Sequence, residues 1–429
     1  MFGVIGFASA VVLYFTHLAA CGVDLPGIRD VAGDPSWIER HAPGILTARL
    51  LFSLALALVL GAGALLFLEP PESVVLALYG LTLIAVGPNP RFLHLGLSQP
   101  RPVAIARTLG EATFVLGVLL FVREPSDIGM VPWSQFLGDL LATALMVWWL
   151  AARGFRLPLR LDWALVAPVF RRSFPLVVNI LLGLAIYNSD LIFLWLFRDS
   201  RTVGFYSASY QLISFLINMS WAYSYSLLPI LARSAADRDA RNALYMNSVA
   251  QSFAVSLPIA VGGALVAPQL VALVFGPEYE PAALPLAILL ASVPFMLFKD
   301  VGMVALIVSG REKTVMRTTA VAVAVNLGLN VLVIPRYGMA GAACTTLATE
   351  VLRAMLVGGC VLAERYPQVD FKRLLKSSAA ALAMGLVLFF FPPGSLWLGL
   401  ALGAAVYAAA LFASGGIVLR RDTWPSLNV

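Results

Sequence analysis

Lys299 and Asp300 stand side by side, and Glu350 and Arg353 three residues apart, in stretches where most other side chains are apolar. Glu111, Asp139 and Asp190 keep similar company. Asn179, Gly183, Tyr187 and Asp190 recur near one helical face. Charge in apolar surroundings is costly, so such groups pair with one another or serve an ion or substrate. Lys299 and Arg353 suit an anionic headgroup, with Asn179 and Tyr187 as neutral ligands. Asp190, Asp300, Glu350, Glu111 and Asp139 suit a coupling cation or balance the charge of the site. Lys299 and Asp300 diverge by about 100° around a helix and are not expected to satisfy each other. Glu350 and Arg353, at i,i+3, either pair or meet substrate, and Arg107 and Glu111, at i,i+4, are expected to pair. Asn326 and Asn330 share a face as interhelical glue or as ligands.

These residues must be held by thirteen apolar runs that fill nearly the whole chain. Helices are expected near 3–22, 45–67, 73–88, 103–122, 130–152, 174–197 and 203–231. The rest are expected near 247–274, 282–308, 315–334, 339–363, 375–391 and 395–419. Most meet the roughly 17–25 residues that a bilayer crossing needs. Threading the gaps alternately leaves twenty-three Lys and Arg on one side and four on the other. The rich side is expected to be cytoplasmic. The fold class is therefore all-α, a polytopic helical membrane protein with a cytoplasmic C-terminus and Met1 outside.

Composition excludes several other classes. With 60% hydrophobic residues and a mean hydropathy of +0.88, polar groups are too few to cover a soluble globule of 429 residues. The net charge of +6 is accounted for by loops facing anionic lipid, so no nucleic-acid partner is expected. Cys21, Cys344 and Cys360 lack CxxC spacing, and His17, His41 and His94 are scattered, so neither a metal nor a cofactor is expected. There is no phosphate-cradling glycine loop. Asn218 and Ser220 match a glycosylation sequon by chance, inside an apolar run.

Weak internal similarity relates the openings of the first and seventh runs, GVIGFA at 3–8 and GFYSAS at 204–209. FLEPPE at 67–72 and FGPEYEP at 275–281 link corresponding pairs of runs. Runs one to five then repeat in seven to eleven, a parallel design that in transporters places substrate between the halves. The expected organisation is a first transmembrane lobe at 1–152 and a basic cytoplasmic linker at 153–173. A second lobe follows at 174–363, then a two-helix tail at 364–429. Within the linker, residues 161–168 form either a short amphipathic surface helix or a plain topological spacer.

The second half resembles the oligosaccharide flippases of the multidrug/oligosaccharidyl-lipid/polysaccharide (MOP) exporter superfamily. The resemblance rests on Asp190 followed by VGFYSASYQL at 203–212, FGPEY at 275–279, and NLGLN at 326–330 with IPRYG at 334–338. AGAACTT at 340–346 with Glu350 extends it, and Pro125 to Asp127 with the flanks of the fourth and fifth runs match more loosely. It covers essentially the whole chain, but the family pattern has fourteen helices, and the first of them is expected either to lie upstream of Met1 or to have been lost. The resemblance implies an alternating-access carrier in a bacterial or archaeal cytoplasmic membrane, not an enzyme. Its substrate would be a polyprenyl-pyrophosphate-linked oligosaccharide, moved to the outer leaflet for surface polysaccharide such as lipopolysaccharide or exopolysaccharide. It further implies a self-sufficient monomer among membrane lipids, working with polysaccharide polymerase and export machinery. A cation-coupled multidrug exporter or a peptidoglycan-precursor flippase of the same superfamily stays open, because buried acids outnumber Lys299 and Arg353. A membrane glycan polymerase or ligase is the remaining alternative.

Overall fold

The structure is a computed structural model that describes residues 2–234, 237–367, 370–391 and 394–414. Among these residues every regular element is helical. The chain divides into two compact units, residues 1–184 and 185–429.

The first unit contains α1 (Phe2–Ala19), α2 (Asp24–Gly33), α3 (Trp37–Phe67), α4 (Glu72–Gly80), α5 (Thr82–Val86) and α6 (Arg91–Gly96). It continues through α7 (Pro100–Phe121), α8 (Met130–Ala152) and the first part of α9 (Trp163–Phe197). The third expected run is not one helix. Gly87 has no room for a side chain, since a Cβ there would lie 1.8 Å from Ser53 Oγ, and Pro88 and Pro90 interrupt the next turn. The run divides at Leu81 into α4 and α5 and ends at Gly87, and α6 follows beyond it. α7 and α8 meet through glycines: a Cβ on Gly138 would sit 2.4 Å from the Gly110 carbonyl oxygen. Such close backbone approach is how apolar helices associate where water cannot drive them together.

Two segments depart from expectation. Residues 24–33 form a helix despite Pro26 and Gly27, because Val31 and Gly27 seat against α6. A Cβ on Gly27 would overlap the Phe92 ring at 2.5 Å, and one on Gly96 would overlap Val31. Beyond the irregular stretch 155–162, α9 begins at Trp163, where the Ala164 N–H donates to Asp162 Oδ1 at 3.2 Å. In its first turns Val166 and Val169 join a core with Trp37, Ile38, Ile45, Phe92, Leu93 and Leu150, while Trp163 and Leu165 are exposed. Residues 163–168 are thus the opening turns of the long α9 and not a separate short helix, and a 41° bend follows between 163–174 and 176–186.

The second unit holds the end of α9 and α10 (Ser200–Arg233), α11 (Arg238–Phe275), α12 (Ala283–Val308), α13 (Glu312–Ala363), α14 (Phe371–Phe390) and α15 (Leu396–Ala413). α13 has 52 residues, which at 1.5 Å per residue is about 78 Å, more than twice a hydrocarbon core. Gly338 breaks it, with φ 56° and ψ −135°, three residues after Pro335. Arg198 donates to the Pro335 carbonyl oxygen at 2.8 Å, satisfying an acceptor near the break. The halves match the expected tenth and eleventh runs. Residues 415–419 of the last run lie outside the described residues.

By length and composition, nine helical spans among the described residues can cross a membrane, ten if the bent α9 counts as one. The exposed large side chains Leu58, Leu65, Leu66 and Phe67 on α3, and Leu116 and Leu119 on α7, are what lipid contact predicts. α10 is less apolar than these spans because it carries Ser, Tyr, Asn and Gln along its length, several of which serve the polar networks below.

Candidate functional site

Sequence-predicted residues gather in three places. In the second unit, α12 and α13 bring Lys299, Asp300, Glu350 and Arg353 into one buried network. Lys299 Nζ lies 2.8 Å from Asp300 Oδ1 and 3.4 Å from Glu350 Oε2. Arg353 Nη1 lies 2.8 Å from Glu350 Oε1. The expectation that Lys299 and Asp300 do not satisfy each other is incorrect. Their Cα–Cβ directions diverge, but the four-carbon lysine stem bends back far enough to bring the ammonium onto its neighbour. Ser220 on α10 donates to Asp300, a partner the sequence pattern did not single out. Two cations thus face two carboxylates, and the site has no net charge as it stands.

The second network surrounds Asp190, which is fully buried near the C-terminal end of α9. Its carboxylate accepts hydrogen bonds from Tyr206 Oη at 2.7 Å, Thr346 Oγ1 at 2.5 Å and Asn330 Nδ2 at 2.6 Å. Asn330 also donates to Ser189 Oγ at 3.3 Å and Asn326 Oδ1 at 3.2 Å. Asn326 Nδ2 donates to Thr349 Oγ1 at 3.1 Å, one residue before Glu350, so the two networks adjoin along α13. A buried carboxylate surrounded by neutral donors, with no Lys or Arg ion-paired to it among the described residues, is an unusual and costly arrangement. Tyr206 and Thr346 lie inside the GFYSAS and AGAACTT motifs, so spacing pointed at them without giving their role. Asn179 and Tyr187 lie outside the residues whose side chains are described.

The third place is a cavity of about 260 Å³ in the first unit. Glu111 from α7 and Asp139 from α8 line it, as do Arg49, Arg91, Arg107, Asp24 and His17. Asp24 Oδ1 accepts from Arg49 Nη1 at 3.3 Å, and Asp24 Oδ2 from Arg91 Nη2 at 3.1 Å. One carboxylate therefore fixes two guanidinium groups. Arg49 is only 2% exposed and lies over the Phe92 ring, 5.8 Å from its centroid. Its Nε is buried with no hydrogen-bond partner among the described residues. Arg107 and Glu111 pair at 3.9 Å as expected, though both side chains are largely exposed. Gln135 Nε2 donates to Asp139 Oδ2 at 3.3 Å. Arg49 was missed because it stands near the start of an apolar run, where it counts as one of the basic residues flanking the first gap. Its signal was its position: four residues inside the run, one helical turn from the gap.

The site and fold together define a polytopic helical membrane protein with ionisable networks buried among its apolar helices. A family model described as polysaccharide biosynthesis protein matches residues 1–235, more than half of the sequence, and the chain belongs to that family. No curated protein sequence matches it. Among solved structures, the fold is similar to the lipid II flippase MurJ in its inward closed conformation, with a TM-score of 0.80 at 13% identity. That match covers 95% of this chain and 92% of the other. A multidrug resistance MATE family transporter of the MOP superfamily, inward-facing, gives 0.68 at 12% identity over 85% and 91% of the two chains. A MOP superfamily transporter from Pyrococcus furiosus gives 0.52 at 13% identity over 85% of each chain.

Proposed function

We propose that this protein is a flippase that moves a polyprenyl-pyrophosphate-linked oligosaccharide from the inner to the outer leaflet for surface polysaccharide biosynthesis. The observation that carries this reading is Arg49: a buried guanidinium on a membrane helix, oriented by Asp24, facing a polar cavity with Arg91 and Arg107. A pyrophosphate and its sugars do not cross hydrocarbon unaided, because stripping their hydration costs many kcal/mol. Arginine suits phosphate because its planar fork donates in pairs. At about 260 Å³ the cavity lies below the roughly 300–1,000 Å³ of small-molecule sites, a size for a headgroup and not for a glycan.

Coupling falls to the carboxylates. Rotating the Asn330 amide would turn its buried Oδ1, which has no partner among the described residues, toward Asp190 Oδ1, Asn326 Oδ1 and Ser189 Oγ, an oxygen set suited to a hard monovalent cation. Lys299 and Arg353 belong to the same reading as a second anion site. Neutralising Glu350 by a proton would leave that cluster with two cations and one anion. Glu111 and Asp139 then balance the arginines of the first cavity.

The test follows a fluorescent polyprenyl-pyrophosphate oligosaccharide in vesicles as it becomes accessible to a membrane-impermeant quencher. Arg49→Gln is expected to lower transport about 30-fold or more, the cost of losing one partner of a buried charged contact. Unchanged transport by Arg49→Gln, with protein correctly inserted, overturns the headgroup assignment. One observation favours a second reading, a cation-coupled multidrug exporter: Asp24, Glu111 and Asp139 match the three arginines of the cavity in number. Ion-driven efflux of organic cations without glycolipid transport would select it.

A further inference from the structure

We infer that the first unit carries a binding site for an anionic phospholipid of the surrounding membrane, separate from the headgroup cavity. Two adjoining features make it. One is a cavity of about 740 Å³ whose lining includes Arg40, Arg156, Arg160, Glu39 and Asp162. The other is an apolar trough of about 510 Å³ whose lining includes Leu51, Phe52, Leu161, Trp163 and Phe174. Both are built from the same two elements, α3 and the segment entering α9. Gly44 borders the cavity and Ala48, one turn on, borders the trough; Arg160 faces the first and Leu161 the second.

The chemistry of the occupant follows from that order. Gly44 lets the segment approach α3 closely: the Arg160 N–H donates to Thr47 Oγ1 at 3.1 Å, which fixes its backbone. Arg40 is held by Asp34 and Ser36, and Asp162 is engaged as the helix cap. Arg156 and Arg160 are exposed and form no ion pair among the described residues. Two available guanidinium groups thus stand at the end of a trough with exposed Leu51, Phe52, Trp163 and Phe174 along it. A diacyl lipid with a phosphate-bearing, negatively charged headgroup satisfies both ends. A zwitterionic lipid would fill the trough but would bring its own ammonium to the arginines.

Trp163 provides the probe, since it lines the trough and is 60% exposed. The full chain is reconstituted with phosphatidylglycerol or phosphatidylcholine brominated on the acyl chain. The signal is the emission present in the unaltered chain and missing from Trp163→Phe. Bromine quenching of that part is expected at a far lower mole fraction of phosphatidylglycerol than of phosphatidylcholine. At roughly fivefold per basic residue near an anionic surface, the preference should be about 25-fold and should vanish in Arg156→Gln/Arg160→Gln. Both positions are exposed, so the double variant is expected to keep its helical content and elution volume. Equal quenching by the two lipids overturns the proposal, as does a preference that survives the double variant. Stoichiometric displacement of brominated phosphatidylglycerol by polyprenyl pyrophosphate would assign the trough to transported substrate and also overturn it. Because binding is read without transport, a failure here is distinct from a failure of the flippase reading.

Discussion

Replacing Lys299 by Met tests whether the second unit holds a balanced ion network. Methionine preserves the unbranched stem and removes only the ammonium, so packing within α12 changes little. Lys299 is 2% exposed and contacts both Asp300 and Glu350. The substitution leaves two buried carboxylates facing one guanidinium, and breaking a buried pair in this way costs about 3–5 kcal/mol. On the scaling of soluble domains of comparable size this is about 6–20 °C in Tm. The assay is thermal loss of monodisperse protein in detergent, measured for Lys299→Met, Asp300→Asn and the double variant. Removing both partners restores equal numbers of cations and anions, so the double variant should recover most of the loss. A double variant as unstable as the sum of the single ones would show that Lys299 and Asp300 do not act as a pair. A single variant within about 0.5 kcal/mol of the parent, the range of ordinary surface substitutions, would refute the buried network itself.

Two further outcomes are expected. Asp190→Asn replaces an acceptor with a group that donates on one side, so Tyr206, Thr346 or Asn330 loses a partner at a cost of about 1–3 kcal/mol. Transport by this variant should no longer respond to an imposed ion gradient while headgroup binding persists, and an unchanged ion response would remove Asp190 from the coupling site. Asp199, before α10, accepts from the Thr202 N–H at 2.8 Å, and hydrogen bonds from the Thr202 side chain and backbone hold its carboxyl below the usual range. A depressed carboxyl stabilises the fold fully above its unfolded value and loses that contribution as pH falls through the folded one. Asp199→Ala should therefore cost about 1 kcal/mol at neutral pH and progressively less below about pH 4, read as a converging Tm difference.

The helices were legible in the sequence because a membrane helix needs only a long apolar run, and all thirteen expected runs correspond to helical segments among the described residues. What escaped was decided by contacts between elements. α2 contains Pro26 and Gly27 and reads as loop, yet it forms because Gly27 and Val31, one turn apart on one face, seat against Phe92 and Gly96 of α6. The crowding at the end of the third run comes from Ser53, a residue of another helix, occupying the space beside Gly87. The ionisable residues were conspicuous for the same reason as the helices, being charges where none are cheap. Their partners were not, since spacing along one helix gives Glu350 with Arg353 but cannot show Asp300 with Ser220 or Asp24 between two arginines.

The two kinds of charged site differ in what a visiting ion would find. Around Glu350 each charge has a partner of opposite sign within 3.4 Å, and an anion could enter only by displacing a carboxylate or after one had taken a proton. In the first unit Arg49 is fixed by Asp24 at one nitrogen and lines open volume, and its buried Nε has no hydrogen-bond partner among the described residues. A desolvated donor without an acceptor is worth more to an arriving phosphate than any already satisfied pair, because the cost of stripping its water has been met before binding. Under the flippase proposal the first anion contact falls at Arg49, and Lys299 and Arg353 depend on the state of Glu350. The ordering has a consequence that distinguishes it from independent sites: Glu350→Gln should strengthen anion binding to the second unit, and Arg49→Gln should leave that gain intact.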